Sequence, residues 1–199
     1  MILPRLRWLC LILLLTCAPT LCVASRVVVI DAGHGGHDRG GVPGQRISEK
    51  HLALDVALRV NRILRARRVP TIMTRSRDVF VSLPQRVAIG NRQRSALFVS
   101  IHFNSAPREG ARGFETFYYN SRLGARLAYN AQRRLLRTYR TENRGVKRRG
   151  FYVLRHSKHP AVLIECGFLT NRIEGRQSLL ASHRQRLAEA IAAAIIETR

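Results

Sequence analysis

Four residues in this chain carry the side chains that metal-assisted hydrolysis requires: His34, Glu49, His102 and Glu165. His34 lies in "VVVIDAGHGGHDRGG", residues 27–41, directly after a run of β-branched residues. Glycine-rich turns after strands commonly cradle phosphate on bare backbone, whereas this one presents imidazoles. Glu49 stands in "ISEKHL", His102 closes "ALFVSIH", and Glu165 follows "AVLI". Zinc hydrolases use few protein ligands, typically imidazoles with a carboxylate, and leave one coordination position for water. They also need a carboxylate beside that water which does not bind the metal and moves protons. On this pattern His34, Glu49 and His102 are the candidate zinc ligands, and Glu165 is the candidate catalytic proton carrier.

Each residue also has a plainer reading. His34 would simply fill a turn, although the glycines beside it point to a close backbone approach. Glu49 would be a helix N-terminal charge, favoured there by the helix dipole. His102 would be a hydrogen-bonded core histidine. Glu165 is hardest to dismiss, because a carboxylate ending a buried run is costly unless paired or placed for work. His37 shares the loop with His34 and is left outside the metal. His51 is expected on an exposed or flanking helix face, and His156, His159 and His183 on the surface. Asp31 would either orient His34 or anchor the turn. Asn104 and Arg75 are candidates for substrate or scaffold contacts.

The elements that must position these groups follow from the apolar pattern. "RVVVID" (26–31) reads as a buried strand, and 48–68 as an amphipathic helix with Leu52, Val56, Leu58, Val60, Ile63 and Leu64 inward. A strand is expected over 70–75, a helix over 82–94 with Ser82 as N-cap, and a strand over 96–102. Further strands are read at 113–119, "FYVL" and 161–166, with a helix over about 121–139 and one or two helical pieces over 177–197. Alternating strands and helices imply an α/β fold: one three-layer domain with a mainly parallel open sheet and helices on both faces. Sites in such sheets gather at the carboxyl ends of strands. His34 and His102 follow or end strands in this reading, and Glu165 ends the last one.

Residues 1–25 stand apart. Arg5 and Arg7, the apolar run "WLCLILLL" and the small residues of "CAPTLCVAS" have the layout of a secretory signal, with cleavage after Ala24 or Ser25. An uncleaved anchor is the alternative; Thr16 and Leu21 disfavour lipidation at Cys17 or Cys22. The domain is then 26–199, its only cysteine is Cys166, and no intrachain disulfide supports it. The protein would be exported, to a periplasm or a cell wall.

The 199 residues carry 35 Lys+Arg against 12 Asp+Glu, a formal net charge of +23. Such a surface favours anionic partners, among them envelope polymers. An arginine-rich coding bias on solvated faces gives the same composition. An exported protein seldom meets nucleic acid, so none is expected.

At these same residues the chain resembles the zinc-dependent N-acetylmuramoyl-L-alanine amidases, the amidase type 3 family of peptidoglycan hydrolases. The resemblance runs over about residues 26–197. "IDAGHGGHD", "EKHLALDVAL", "TRSRD" followed by "SLPQRVAIGN", "FVSIHFNSA" and "PAVLIECGFLTN" are similar to its motifs, in order and at compatible spacing. It implies Zn2+ on His34, Glu49 and His102, Glu165 as the catalytic acid–base, and cleavage of the amide between N-acetylmuramic acid and L-alanine. Arg39, Gly41 and Phe103 depart from residues common in the family, and none removes a ligand. Regulated members carry a long insertion with a helix that plugs the site. Here only residues 121–142 intervene, which implies an uninhibited catalytic domain without a separate wall-binding repeat. Another zinc peptidase acting on stem peptides, or a non-enzymatic basic wall-binding module, are the rival readings.

Overall fold

Runs of β-branched and aliphatic residues set the sheet. In the computed structural model, which describes residues 26–108 and 110–199, the strands are β1 (Val27–Ala32), β2 (Thr71–Met73), β3 (Ala96–Asn104), β4 (Phe114–Tyr118), β5 (Asn143–Arg148) and β6 (Ala161–Phe168). The helices are α1 (Glu49–Ala66), α2 (Leu83–Asn91), α3 (Arg122–Leu135), α4 (Tyr152–Arg155), α5 (Arg172–Leu179) and α6 (Ala181–Thr198). The strands form one sheet in the order β2-β1-β3-β6-β4-β5. β2, β1, β3 and β6 run parallel; β4 is antiparallel to β6, and β5 runs parallel with β4. The expected α/β architecture with a mainly parallel sheet is the one observed. The proposed export signal lies outside the described residues.

Register explains where polar chemistry is possible. One sheet face carries Val28, Ile30, Ala32, Leu97, Val99, Ile101, Val162 and Ile164, buried beneath α1, α3 and α6. Each valine, leucine and isoleucine among them contributes roughly 1.5–3 kcal/mol by its burial, so this face anchors the fold. The opposite face begins apolar with Val29, Phe98, Ala161 and Leu163, covered by α2 and α4. Toward the carboxyl ends of β1, β3 and β6 that same face turns polar. Asp31 stands opposite Ser100, and two residues on, His102 stands opposite Glu165, which stands opposite Glu115. Side chains opposite one another share a face. The period of two therefore delivers His102, Glu165 and Glu115 side by side.

Two local expectations fail, for physical reasons. "FYVL" is not a strand: residues 152–155 form the single-turn α4, which buries the adjacent Val153 and Leu154 together. Neighbours on a strand point to opposite faces, so only a helical turn inserts both into one core. β5 went unread because "NRGVKR" has no apolar alternation; it is a charged, half-exposed strand at the end of the sheet order, where charges discourage unwanted pairing. β6 also runs past Glu165, since Phe168 pairs with Asn104 beyond a bulge. Helix α2 opens as expected, with Ser82 and Gln85 closing a reciprocal capping box.

Candidate metal centre

Each member of the cluster arrives on a different element. Gly33 prolongs β1, and the chain then turns sharply, with His34 at φ 58° and Gly35 and Gly36 also at positive φ. A left-handed histidine costs about 1–2 kcal/mol, so the surroundings must hold it there. Two buried arginines supply that hold. Arg75 donates to the carbonyls of Ala32, Gly33 and Lys50. Arg86 donates to the carbonyls of Ala32 and His34 and to Asp31 Oδ1, the last at 2.8 Å. Asp31 also accepts from Thr74 and Ser100. Burial alone would raise its pKa, but Arg86 and the two hydroxyls outweigh that and lower it. Of the two roles open to Asp31, the structure gives it the anchor. Arg75 is scaffold.

The ring of His34 is oriented instead by Asp38, a contact the sequence reading missed. Nδ1 of His34 lies 2.8 Å from Asp38 Oδ2, which leaves Nε2 facing Glu49 Oε2 at 3.1 Å. The only sequence signal was the i+4 spacing in "HGGHD". Glu49, first residue of α1 and 3% exposed, reaches back over this loop. Its Oε1 accepts the backbone N–H of Phe103 and lies 2.8 Å from His102 Nδ1. Desolvation opposes its charge, yet His102 and His34 hold its pKa down at about 2. Burial likewise opposes a charge on His34, but Glu49 and Asp38 raise its pKa. Backbone crowding keeps the pieces close: a Cβ on Gly33 would meet the His102 ring at 2.4 Å, and one on Gly40 would meet Glu49 Oε2 at 2.5 Å.

The donor atoms of His34, Glu49 and His102 all lie within 4.8 Å of one another. Two imidazole nitrogens and a carboxylate oxygen are the donor chemistry of a divalent transition ion. A carboxylate on the far nitrogen of His34 is the usual companion of a metal-binding imidazole. The residues therefore fit such an ion.

Glu165 shares the cavity but not the cluster. Its Oε2 is covered and has no hydrogen-bond partner among the described residues. Burial first, then the carboxylates of Glu49 and Glu115, push its pKa well above the ordinary carboxylate value. Glu115 itself is paired with Lys147 and Arg144 and takes a hydrogen bond from Asn104. The cavity, about 560 Å3, is walled by His34, Glu49, His102, Asn104 and Glu165 on one side and by Phe80, Leu83, Phe151 and Tyr152 on the other. His37 stacks on Phe80 at 4.2 Å, away from the cluster, and His51 is exposed beside Asp78. His156 is exposed and His159 half-buried. His183 is not on the surface as expected: it is 3% exposed, turned inward at the start of α6 against the ring of Tyr139.

Comparison with known proteins places the chain in a family. The family profile described as N-acetylmuramoyl-L-alanine amidase matches residues 28–197. The N-acetylmuramoyl-L-alanine amidase LytC of Bacillus subtilis is 37% identical over 172 residues, covering 85% of this chain but only 34% of LytC. Among solved structures, the catalytic domain of the amidase CwlV from Bacillus (Paenibacillus) polymyxa superposes with a TM-score of 0.81 at 36% identity, covering 86% of this chain and 97% of that one. The amidase AmiC2 of Nostoc punctiforme gives 0.81 at 39% identity, with 86% and 96% covered. With the family profile spanning almost all of the described residues, this chain belongs to the N-acetylmuramoyl-L-alanine amidase family.

Proposed function

We propose that the chain is an exported, zinc-dependent hydrolase that cuts the amide between N-acetylmuramic acid and the L-alanine of the peptidoglycan stem peptide. The observation that carries the reading is the convergence of the His34, Glu49 and His102 donor atoms beside an unpartnered carboxylate oxygen of Glu165. Family membership supplies the substrate class. A divalent ion held by His34, Glu49 and His102 supplies Lewis acidity to the scissile carbonyl and to the attacking water. Zinc suits two imidazoles and a carboxylate with one position left open.

The protein's own groups do the rest. Glu165 takes a proton from the water as its oxygen attacks the carbonyl carbon, then delivers a proton to the departing nitrogen as the C–N bond breaks. A carboxyl group whose pKa is raised by burial holds a proton more readily than an ordinary carboxylate, which suits it to delivering one to the departing nitrogen. Asp38 keeps Nδ1 of His34 occupied so that Nε2 faces inward. The apolar wall of Phe80, Val81 and Phe151 sheds water from the reacting groups. The arginine-rich surface would hold the enzyme on anionic wall or envelope polymers, with salt-sensitive retention.

One digest tests this. Purified sacculi treated with the protein should release stem peptides with free L-alanine amino termini and glycan strands without peptide. A chelator should stop release, and added Zn2+ should restore it. Fragments cut within the peptide would make the protein a stem-peptide peptidase. Chelator-resistant sedimentation with sacculi and no release would make it a binding module. Export predicts a mature N-terminus at Ser25 or Arg26, read by N-terminal sequencing.

A further inference from the structure

A second concavity, about 860 Å3, opens beside the reaction cavity. Three segments at the carboxyl edge of the sheet wall it: residues 42–47 before α1, Ala106 and Pro107 after β3, and residues at the β6–α5 junction. Val42 lines both cavities. Ser105, a wall residue of the first, donates to Gln45 Oε1 of the second at 2.5 Å. A ligand leaving the reaction cavity past Val42 therefore enters this groove.

The groove's charge has one sign. Among the described residues, Arg46, Arg172 and Arg176 are its charged lining residues, all exposed, and no described acid lines it. Among the described residues none of the three guanidinium groups has a hydrogen bond or an ion pair, so they are available to a ligand. The neighbouring acid, Glu174, does not neutralise them from within the groove. It is 5% exposed and accepts from the backbone of Gly113 and Phe168 and from Thr141. The walls are braced: Gln45 Nε2 donates to Ile47 O at 2.7 Å, and Ala106 N to Thr170 Oγ1 at 3.1 Å. The opposite rim of the reaction cavity is lined instead by exposed Phe80, Leu83, Phe151 and Tyr152.

We propose that this groove is the subsite for the acidic part of the stem peptide, with Arg46, Arg172 and Arg176 receiving its free carboxylates while the alanine amide lies in the reaction cavity. The proposal rests on the amidase reading above and adds to it a direction for the substrate and a preference for unmodified carboxylates. Guanidinium groups suit this role because their planar donors match carboxylate geometry and stay charged at every working pH.

The test uses two synthetic muropeptides that differ only beyond L-alanine, one with free carboxylates and one with carboxamides. The parent protein, R46Q/R172Q/R176Q and a control, R62Q/R65Q/R67Q on the exposed end of α1, are assayed on both. Three solvent-exposed charge pairs support a combined preference of about tenfold in kcat/KM, expressed mainly in KM. That preference is expected in the parent and the control, and should fall toward one in the groove variant with its metal content and melting temperature unchanged. A groove variant that keeps the preference overturns the proposal. So does a groove variant that loses equally on both substrates, which would assign the arginines to general attraction toward anionic material. A parent that cleaves both substrates without preference sinks the subsite alone, whereas a parent that cleaves neither sinks the amidase reading with it.

Discussion

Replacing Glu165 by glutamine separates chemistry from metal binding. The substitution keeps size and planarity and removes only the ability to carry a proton. The cavity holds three other carboxylates, and none is free to take over. Asp31 is locked by Arg86, Thr74 and Ser100, Asp38 by His34 and the Gly40 N–H, and Glu49 between the two imidazoles. The loss should therefore approach the upper end of the 10²–10⁴-fold range for general acid–base catalysis, about 3–5 kcal/mol of barrier. Metal content should stay at the parental level, because the donor cluster is untouched. Stability adds an independent readout. The carboxyl pKa of Glu165 is raised in the fold by burial and by Glu49 and Glu115. The contribution of Glu165 to the stability of the metal-free protein should then be lost as pH rises above the unfolded value of about 4.5, so the stability of E165Q relative to the parent should rise between pH 4 and 7. Muropeptide release by mass spectrometry, metal analysis and chelated melts at pH 4 and 7 together measure this. E165Q hydrolysing at the parental rate would refute the proton-transfer role.

Three more outcomes are expected. D38N weakens the acceptor on His34 Nδ1 and should lower zinc affinity by about 10–100-fold by competition titration with a chelating dye; unchanged affinity would mean that Asp38 does not orient the ring. R86M leaves Asp31 buried without its cation and frees the carbonyls of Ala32, His34 and Val81, so chemical denaturation should show a loss of about 3–5 kcal/mol; a loss under 1 kcal/mol would show that the clamp is not needed. The pKa of His183 is lowered to about 4 by burial and then by Arg186 and Arg184. Below pH 6.5 the unfolded chain takes up a proton there that the folded chain refuses, so stability should fall between pH 6.5 and about 4, by at most about 3 kcal/mol. H183L should flatten that slope in thermal melts, and parallel slopes would refute the assignment.

What could be read ahead of the structure follows the range of the interactions involved. The parallel strands and long helices were legible because burial writes itself into local periodicity: "VVVI" and the stripe through Leu52, Val56 and Val60 need no distant partner to be recognised. α4 and β5 were not, since four residues do not establish a period and a charged edge strand has none to show. His183 was misplaced for the same reason. Its burial depends on Tyr139, forty-four residues away, while its neighbours Ser182 and Arg184 look like surface.

The candidate site divides along the same line. His34, Glu49, His102 and Glu165 stood out because each follows an apolar run or opens a helical one in the sequence, and rare chemistry at such a boundary is visible in one dimension. The contacts that make the site rigid are not visible there, although Arg75 was named as a candidate scaffold residue and Asp31 as a turn anchor. Arg86 crosses fifty-four residues to the carbonyl of Ala32, and Arg75 crosses forty-two to that of Gly33. An arginine in a chain so rich in them carries no signal of its own. Yet these contacts keep His34 in a left-handed conformation that its own backbone disfavours. The donors define which ion the site could take; the buried arginines decide whether those donors arrive together.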